Sequence, residues 1–114
     1  MDRQHRLRKG PEFDTVYAQG TVIAGPLIVL RVLPNSAGHP RWGFAVGKKL
    51  VPGAVGRNRL RRRLREAARL SPASESLDIV ITARRGAIDA SFRDLSRAVG
   101  QGLSRAARSE GGAA

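Results

Sequence analysis

The chain has 114 residues, 21 lysines and arginines against 9 acidic residues, a formal net charge of +12 and no cysteine. That length supports one domain with a modest core and is too short for two. It has neither a disulfide framework nor a thiolate zinc site, no run approaches membrane-spanning length, and the charge makes a polyanion the expected partner.

Residues 1–10 are polar and basic, with Arg3, Arg6, Arg8 and Lys9 around Leu7, and read as a flexible arm that settles on RNA. The start lacks the apolar stretch of a secretory signal, so a soluble cytoplasmic protein is expected. Pro11 stands where a helix can begin and Gly20 where one can end, which predicts a two-turn helix over Glu12–Ala18. Phe13 and Tyr17 are i, i+4 partners on it and Val16 falls between them in projection. Val16 reads as core, while core packing and base stacking both stay open for the two rings.

Thr21–Leu33 is rich in Val, Ile and Leu and predicts one long strand, interrupted at Gly25-Pro26 by an edge position or bulge. Pro34–Pro40 is a loop by composition. Arg41–Val46 alternates as a strand does and is expected to pair antiparallel with the first through that loop. Lys48-Lys49-Leu50-Val51 continues as a short third strand or strand-like run before Pro52-Gly53 breaks it. His5 and His39 lie far apart in sequence without carboxylates at ligand spacing and read as surface residues.

Gly56–Leu70 predicts one amphipathic helix. Leu60, Leu64, Ala67 and Ala68 recur at the spacing of a single buried face. Arg57, Arg59, Arg61, Arg62, Arg63, Arg65 and Arg69 fill most of the remainder, offset only by Glu66. An ordinary solvated helix mixes signs at i, i+4, and this one does not. Arginine offers a planar fork matched to phosphate oxygens and able to stack on bases, so a nucleic acid is the expected partner of the helix. No Asp or Glu occurs from Thr15 through Arg65, an interval that carries ten of the 21 basic residues, so the positive potential belongs to one part of the fold.

Residues 71–76 form a connecting loop. Leu77–Ala83 is a nearly continuous apolar strand, the mark of one covered on both faces. Arg84–Ala87 is a basic turn. Ser91 and Asp94 resemble a capping box, opening a helix with Phe92, Leu95, Val99, Leu103 and Ala106 at helical spacing and a tail over 109–114. The order is αβββαβα, an α+β single domain over 1–114 in which helices pack on a mixed sheet. No pair of carboxylates and no carboxylate–His pair stands in a catalytic arrangement, so the chain by itself reads as a binding module.

Gly43-Phe44-Ala45-Val46-Gly47-Lys48-Lys49, with Ala54-Val55-Gly56-Arg57-Asn58-Arg59-Leu60-Arg61-Arg62-Arg63-Leu64-Arg65-Glu66 shortly after, closely resembles the protein subunit of bacterial ribonuclease P. Leu7-Arg8-Lys9, the Phe13, Tyr17 and Gly20 spacing, and Asp78–Arg84 extend the resemblance to roughly residues 7–108. Pro52-Gly53 replaces the family's usual Gly-Asn, with a connection one residue longer, and Tyr17 stands where Phe is common. The resemblance implies a ribosomal protein S5 domain 2-like sandwich whose βαβ crossover is left-handed, where general topology rules predict a right-handed one.

It also implies roles. Lys48, Lys49, Arg57, Asn58, Arg59, Arg61, Arg62 and Arg65 would face the catalytic RNA subunit. Phe13, Tyr17, Arg31 and Phe44 would form a cleft for the single-stranded 5′ leader of precursor tRNA. The activity implied is endonucleolytic removal of that leader, with hydrolysis carried out by the RNA and its Mg²⁺, no catalytic residue or metal site in the chain, and no cofactor held tightly by it. Neither membrane nor DNA is an expected partner. A small basic ribosomal protein fits the composition as well. A helix-turn-helix DNA regulator fits less, because a base-reading helix needs short polar side chains and this one has only Asn58.

Overall fold

The computed structural model describes residues 5–8, 10–71 and 76–113, the last five of these as backbone only. The arm positions Arg3 and Lys9, and most of the loop after the arginine helix, lie outside the described residues. The elements run α1 (Pro11–Gln19), β1 (Thr21–Ala24), β2 (Ile28–Pro34), β3 (Arg41–Ala45), α2 (Ala54–Arg69), β4 (Leu77–Ala83), α3 (Gly86–Asp89) and α4 (Phe92–Ala113).

α1 and α4 begin where local chemistry favours a helix. Gly10 takes φ 91°, a left-handed conformation open to glycine, and turns the chain into α1, where Pro11 pre-sets the first φ and Glu12 and Asp14 meet the positive helix end. The Ser91 Oγ accepts the Asp94 N–H at 3.0 Å, so the expected cap opens α4. α2 has no side-chain cap at Gly53 and no acid in its first turn. It is therefore held by packing, with Leu60, Leu64, Ala67 and Ala68 all buried as their spacing predicts. Burying each leucine contributes roughly 1.5–3 kcal/mol.

The four strands form one mixed sheet in the order β1-β2-β4-β3. β1 and β2 are antiparallel, β2 and β4 antiparallel, and β3 and β4 parallel. Three sequence expectations change here. The long strand is a hairpin, because Gly25 turns the chain, its N–H bonding the Ile28 carbonyl at 3.0 Å. β3 does not pair with β2, since β4 lies between them: Ile79, Val80 and Ile81 are all at 0% exposure, a run that needs neighbours on both edges as well as cover on both faces. Lys48–Val51 is a turn, with the N–H groups of Leu50 and Val51 both bonded to the Gly47 carbonyl.

Residues level with one another across the sheet share a face. Leu30, Ile81 and Phe44 lie on the side packed by α2 and α4, in the main core. Arg31, Val80 and Gly43 lie on the other side, where α1 packs Phe13 and Val16 on Val80. The basic segment ahead of α1 joins this second cluster: Leu7 is buried, and its N–H bonds the Trp42 carbonyl at 2.8 Å on the free edge of β3. Phe92, expected in the core, is instead 38% exposed at the start of α4, whereas Leu95, Val99 and Ala106 are buried. The helical backbone runs on to Ala113, where a tail over 109–114 is expected from the sequence.

Candidate nucleic-acid interface

β3 is an edge strand, and among the described residues only the bridge of Arg6 to Trp42 meets its outer side. α2 rises on one side of that edge, and Leu7 and α1 lie on the other. Between them is a cleft of about 400 Å³ with Phe13, Gly43 and Phe44 as its apolar floor and Asn58, Arg61, Arg62 and Arg65 along its α2 wall. Arg6 adds a further cation from the N-terminal segment.

The wall is pre-shaped. Asn58 Oδ1 accepts from the Arg61 Nη1 at 2.7 Å, and the Arg65 guanidinium stands 5.8 Å from the centre of the Phe44 ring. The Nε atoms of Arg61 and Arg65 are both buried and have no hydrogen-bond partner. Buried donors are normally satisfied. Both guanidiniums keep donors to spare beside a hollow with no acid among the described residues of its lining, which makes an anion site.

The floor depends on a missing side chain. A Cβ at Gly43 would lie 2.4 Å from the Phe13 Cζ, so glycine is what lets this ring lie on β3. Phe13 is thereby 8% exposed and belongs to the core, with only part of its surface at the cleft. Phe44 is buried on the α2 side of the sheet.

The expected leader set is therefore split. Tyr17, 42% exposed, lies on the opposite sheet face with the Arg31 guanidinium 4.7 Å from its ring centre. Both contact Thr82 Oγ1, the Tyr17 hydroxyl at 3.4 Å and Arg31 Nη1 at 3.5 Å. Val22, paired with Arg31 and 52% exposed, continues this open patch. Strand alternation separates Phe44 from Arg31, because positions level with Ile81 and with Val80 point to opposite faces.

The remaining expected positions scatter around α2. Lys48 and Lys49 are exposed in the turn before it, and Arg59 is exposed on its flank. Arg57 donates through Nη1 to the carbonyls of Val51 and Pro52, so part of its fork secures the connection into α2. Arg63 likewise donates to the Ala90 carbonyl at 2.6 Å, tying α2 to the segment before α4. Sequence reasoning missed Arg6 and Gly43 as cleft residues; the N-terminal pairing with Trp42 that brings Arg6 there has no local signature.

A second structural feature positions α1. Asp78, the one buried acid among the described residues, receives Arg41 Nε and Nη2 at 2.7 Å each and Asn35 Nδ2 at 2.8 Å, and Arg41 also meets Glu12 at 3.2 Å. The Arg41 pKa is raised, chiefly by its hydrogen bond to Asp78. β3, β4 and α1 are thus pinned together beneath the cleft.

The family model described as ribonuclease P matches residues 1–107. The chain belongs to the ribonuclease P protein family. It is 43% identical over 109 residues to a ribonuclease P protein component of Symbiobacterium thermophilum, covering 93% of this chain and 94% of that one. Another from Dehalococcoides mccartyi is 40% identical over 93% of this chain and 88% of its own length. The fold is similar to that of the Staphylococcus aureus ribonuclease P protein, with a TM-score of 0.78 at 29% identity over 90% of this chain and 94% of that one. The protein from Thermotoga maritima gives 0.71 at 25% over 81% of this chain and 88% of its own. As a ribonuclease P protein component, the chain is part of an endoribonuclease of tRNA processing, with an RNA subunit as its partner.

Proposed function

We propose that the α2 cleft seats the RNA subunit and that the open Tyr17–Arg31 patch receives the 5′ leader of precursor tRNA. The observation that carries this reading is the wall of Arg61, Arg62 and Arg65 beside a hollow with no acid among the described residues of its lining. Arg61, Arg62, Arg65 and Asn58 hold RNA phosphates there, and Arg59, Lys48, Lys49 and the free part of the Arg57 fork extend the contact along α2. On the other face, Tyr17 stacks an unpaired base while Arg31 holds a flanking phosphate, a mode that tolerates sequence variation. Phe13 and Phe44 act as the apolar floor of the α2 cleft.

Hydrolysis belongs to the RNA and its Mg²⁺, and the protein holds no cofactor tightly. Two of its own carboxylates, Glu12 and Asp78, are both engaged by Arg41, which supports a purely binding role. Precursor tRNA is the substrate bound, in the cytoplasm, and neither DNA nor membrane takes part; no described helix is long and apolar enough to cross a membrane.

The test is a Mg²⁺ titration of precursor tRNA cleavage by the RNA subunit, with and without protein, on substrates with a long leader and with a single-nucleotide leader. Fixed positive charge replaces part of the metal-ion screening between two polyanions, so cleavage shifts to lower Mg²⁺ with the protein, and more so with the long leader. Cleavage by the protein without RNA, or an unmoved Mg²⁺ requirement, overturns the reading.

A further inference from the structure

α4 carries a second cationic face, and none of its residues lines the α2 cleft. Arg97, Gln101, Ser104 and Arg108 recur at intervals of four, three and four, which places them on one exposed stripe opposite buried Leu95, Val99 and Ala106. Arg105 flanks the stripe and reaches the Ala24 carbonyl at 3.3 Å, while Arg84 reaches the neighbouring Gly25 carbonyl at 2.8 Å. The last carbonyl of β1 and the one after it thus each take one of these guanidiniums. Each spends one of five donors there and keeps the rest for a ligand.

No acid occurs from Leu95 through Ser109. Among the described residues, the ion pairs use Arg41 and Arg69 and leave Arg84, Arg97, Arg105 and Arg108 without an acidic partner. Beside them runs an open groove of about 470 Å³ lined by Gly100, Gln101, Ser104, Arg105 and Arg108. Its small and short polar side chains let another backbone come close between the cations.

We propose that this face is a second RNA-binding surface, one that takes the phosphate backbone of a double-stranded stem. Charge selects a polyanion. The lining of the groove has no aromatic ring, so an unpaired base finds nothing to stack on, and the available chemistry is arginine to phosphate with Gln101 and Ser104 near sugar hydroxyls. The stripe from Arg97 to Arg108 spans about 16 Å of straight helix, enough to follow a row of several phosphates. The surface goes beyond the α2 and Tyr17 assignments and uses none of their residues.

The test measures binding of the full chain to a short blunt RNA duplex with no overhang, as a function of salt, alongside an unstructured single strand and vesicles of phosphatidylcholine with phosphatidylserine. Three variants are compared with the parent: Arg97→Ala/Arg105→Ala/Arg108→Ala; Ser104→Glu, which puts a negative charge in the groove without touching an arginine; and Arg61→Ala/Arg62→Ala/Arg65→Ala in the cleft. The expected result is that both α4 variants lose duplex affinity by about tenfold or more, the triple variant lowering the salt slope by roughly 2 to 3, while the cleft variant keeps duplex binding. Duplex affinity unchanged in both α4 variants, loss confined to the cleft variant, or vesicles bound in preference to duplex through the α4 arginines overturns the proposal. Assembly with the RNA subunit, followed in the same variants, reports separately on the cleft.

Discussion

Phe13 and Tyr17 sit one helical turn apart and meet opposite fates, and a single absent side chain accounts for it. Phe13 occupies the space above Gly43, whereas Tyr17 lies one turn further along, 6.4 Å away between ring centres, with one side open. Phe13→Ala should therefore cost about 3–5 kcal/mol in a denaturant melt. Gly43→Ala should cost about 1–3 kcal/mol as Phe13 is forced aside, and should also weaken assembly with the RNA subunit because the cleft floor moves. Tyr17→Ala should leave the melt nearly unchanged and weaken precursor tRNA by about 1–3 kcal/mol relative to mature tRNA. Equal loss for both tRNAs would remove Tyr17 from the leader site. At this scale the sequence could identify the rings, and the run of arginines along α2 holds the three that line the cleft, Arg61, Arg62 and Arg65, but which ring is buried depended on a glycine 30 residues away that carries no pattern of its own.

Among the elements, α2 was legible and β3 was not. A helix announces its buried face in its own periodicity, so Leu60, Leu64, Ala67 and Ala68 could be placed without knowing what they pack on. A strand's alternation gives its faces and says nothing of its neighbour, so β3 was expected beside β2 although it pairs with β4. The resemblance likewise grouped Phe44 with Arg31, and strand alternation puts the two on opposite faces. Within α2 the arginines now separate by what they touch. Arg59→Ala should preserve stability and flatten the dependence of log affinity for the RNA subunit on log salt by roughly 0.7–0.9. Arg57→Ala should do the same and also lose about 1 kcal/mol of stability, because the carbonyls of Val51 and Pro52 lose a donor. Under the sheet, Asp78→Ala should cost about 2 kcal/mol, less than for a fully buried pair because the Arg41 side chain keeps 28% exposure. A melt insensitive to Asp78 would mean that Glu12 suffices to hold Arg41.

For the molecule as a whole, a net charge of +12 on 114 residues is self-repulsive, and only three ion pairs join the described residues. Sulfate, polyphosphate or RNA should bind the folded form in preference to the unfolded chain. At a hundredfold excess over Kd such a ligand contributes about 2.7 kcal/mol, enough to raise Tm by roughly 10 °C in a domain of this size. Sodium chloride at the same ionic strength should do less, since it screens without bridging. A melt indifferent to the choice of anion would show that the repulsion is already relieved within the fold.

The central place of β4 has a further consequence, for the order in which the protein can be made. β2 and β3 both take their sheet partners from Leu77–Ala83, so a growing chain that has reached only Arg69 has a single hairpin and an arginine helix with no finished surface to lie on. Every cation of the cleft wall leaves the ribosome before the strand that would hold it in place. Released at that length the chain should be unfolded by circular dichroism, and extension through β4 should close both halves of the sheet in one cooperative step. During that interval the nascent segment is an acid-poor, arginine-rich coil among ribosomal and transfer RNA, and its first encounter with a polyanion comes before it has a fold with which to choose one.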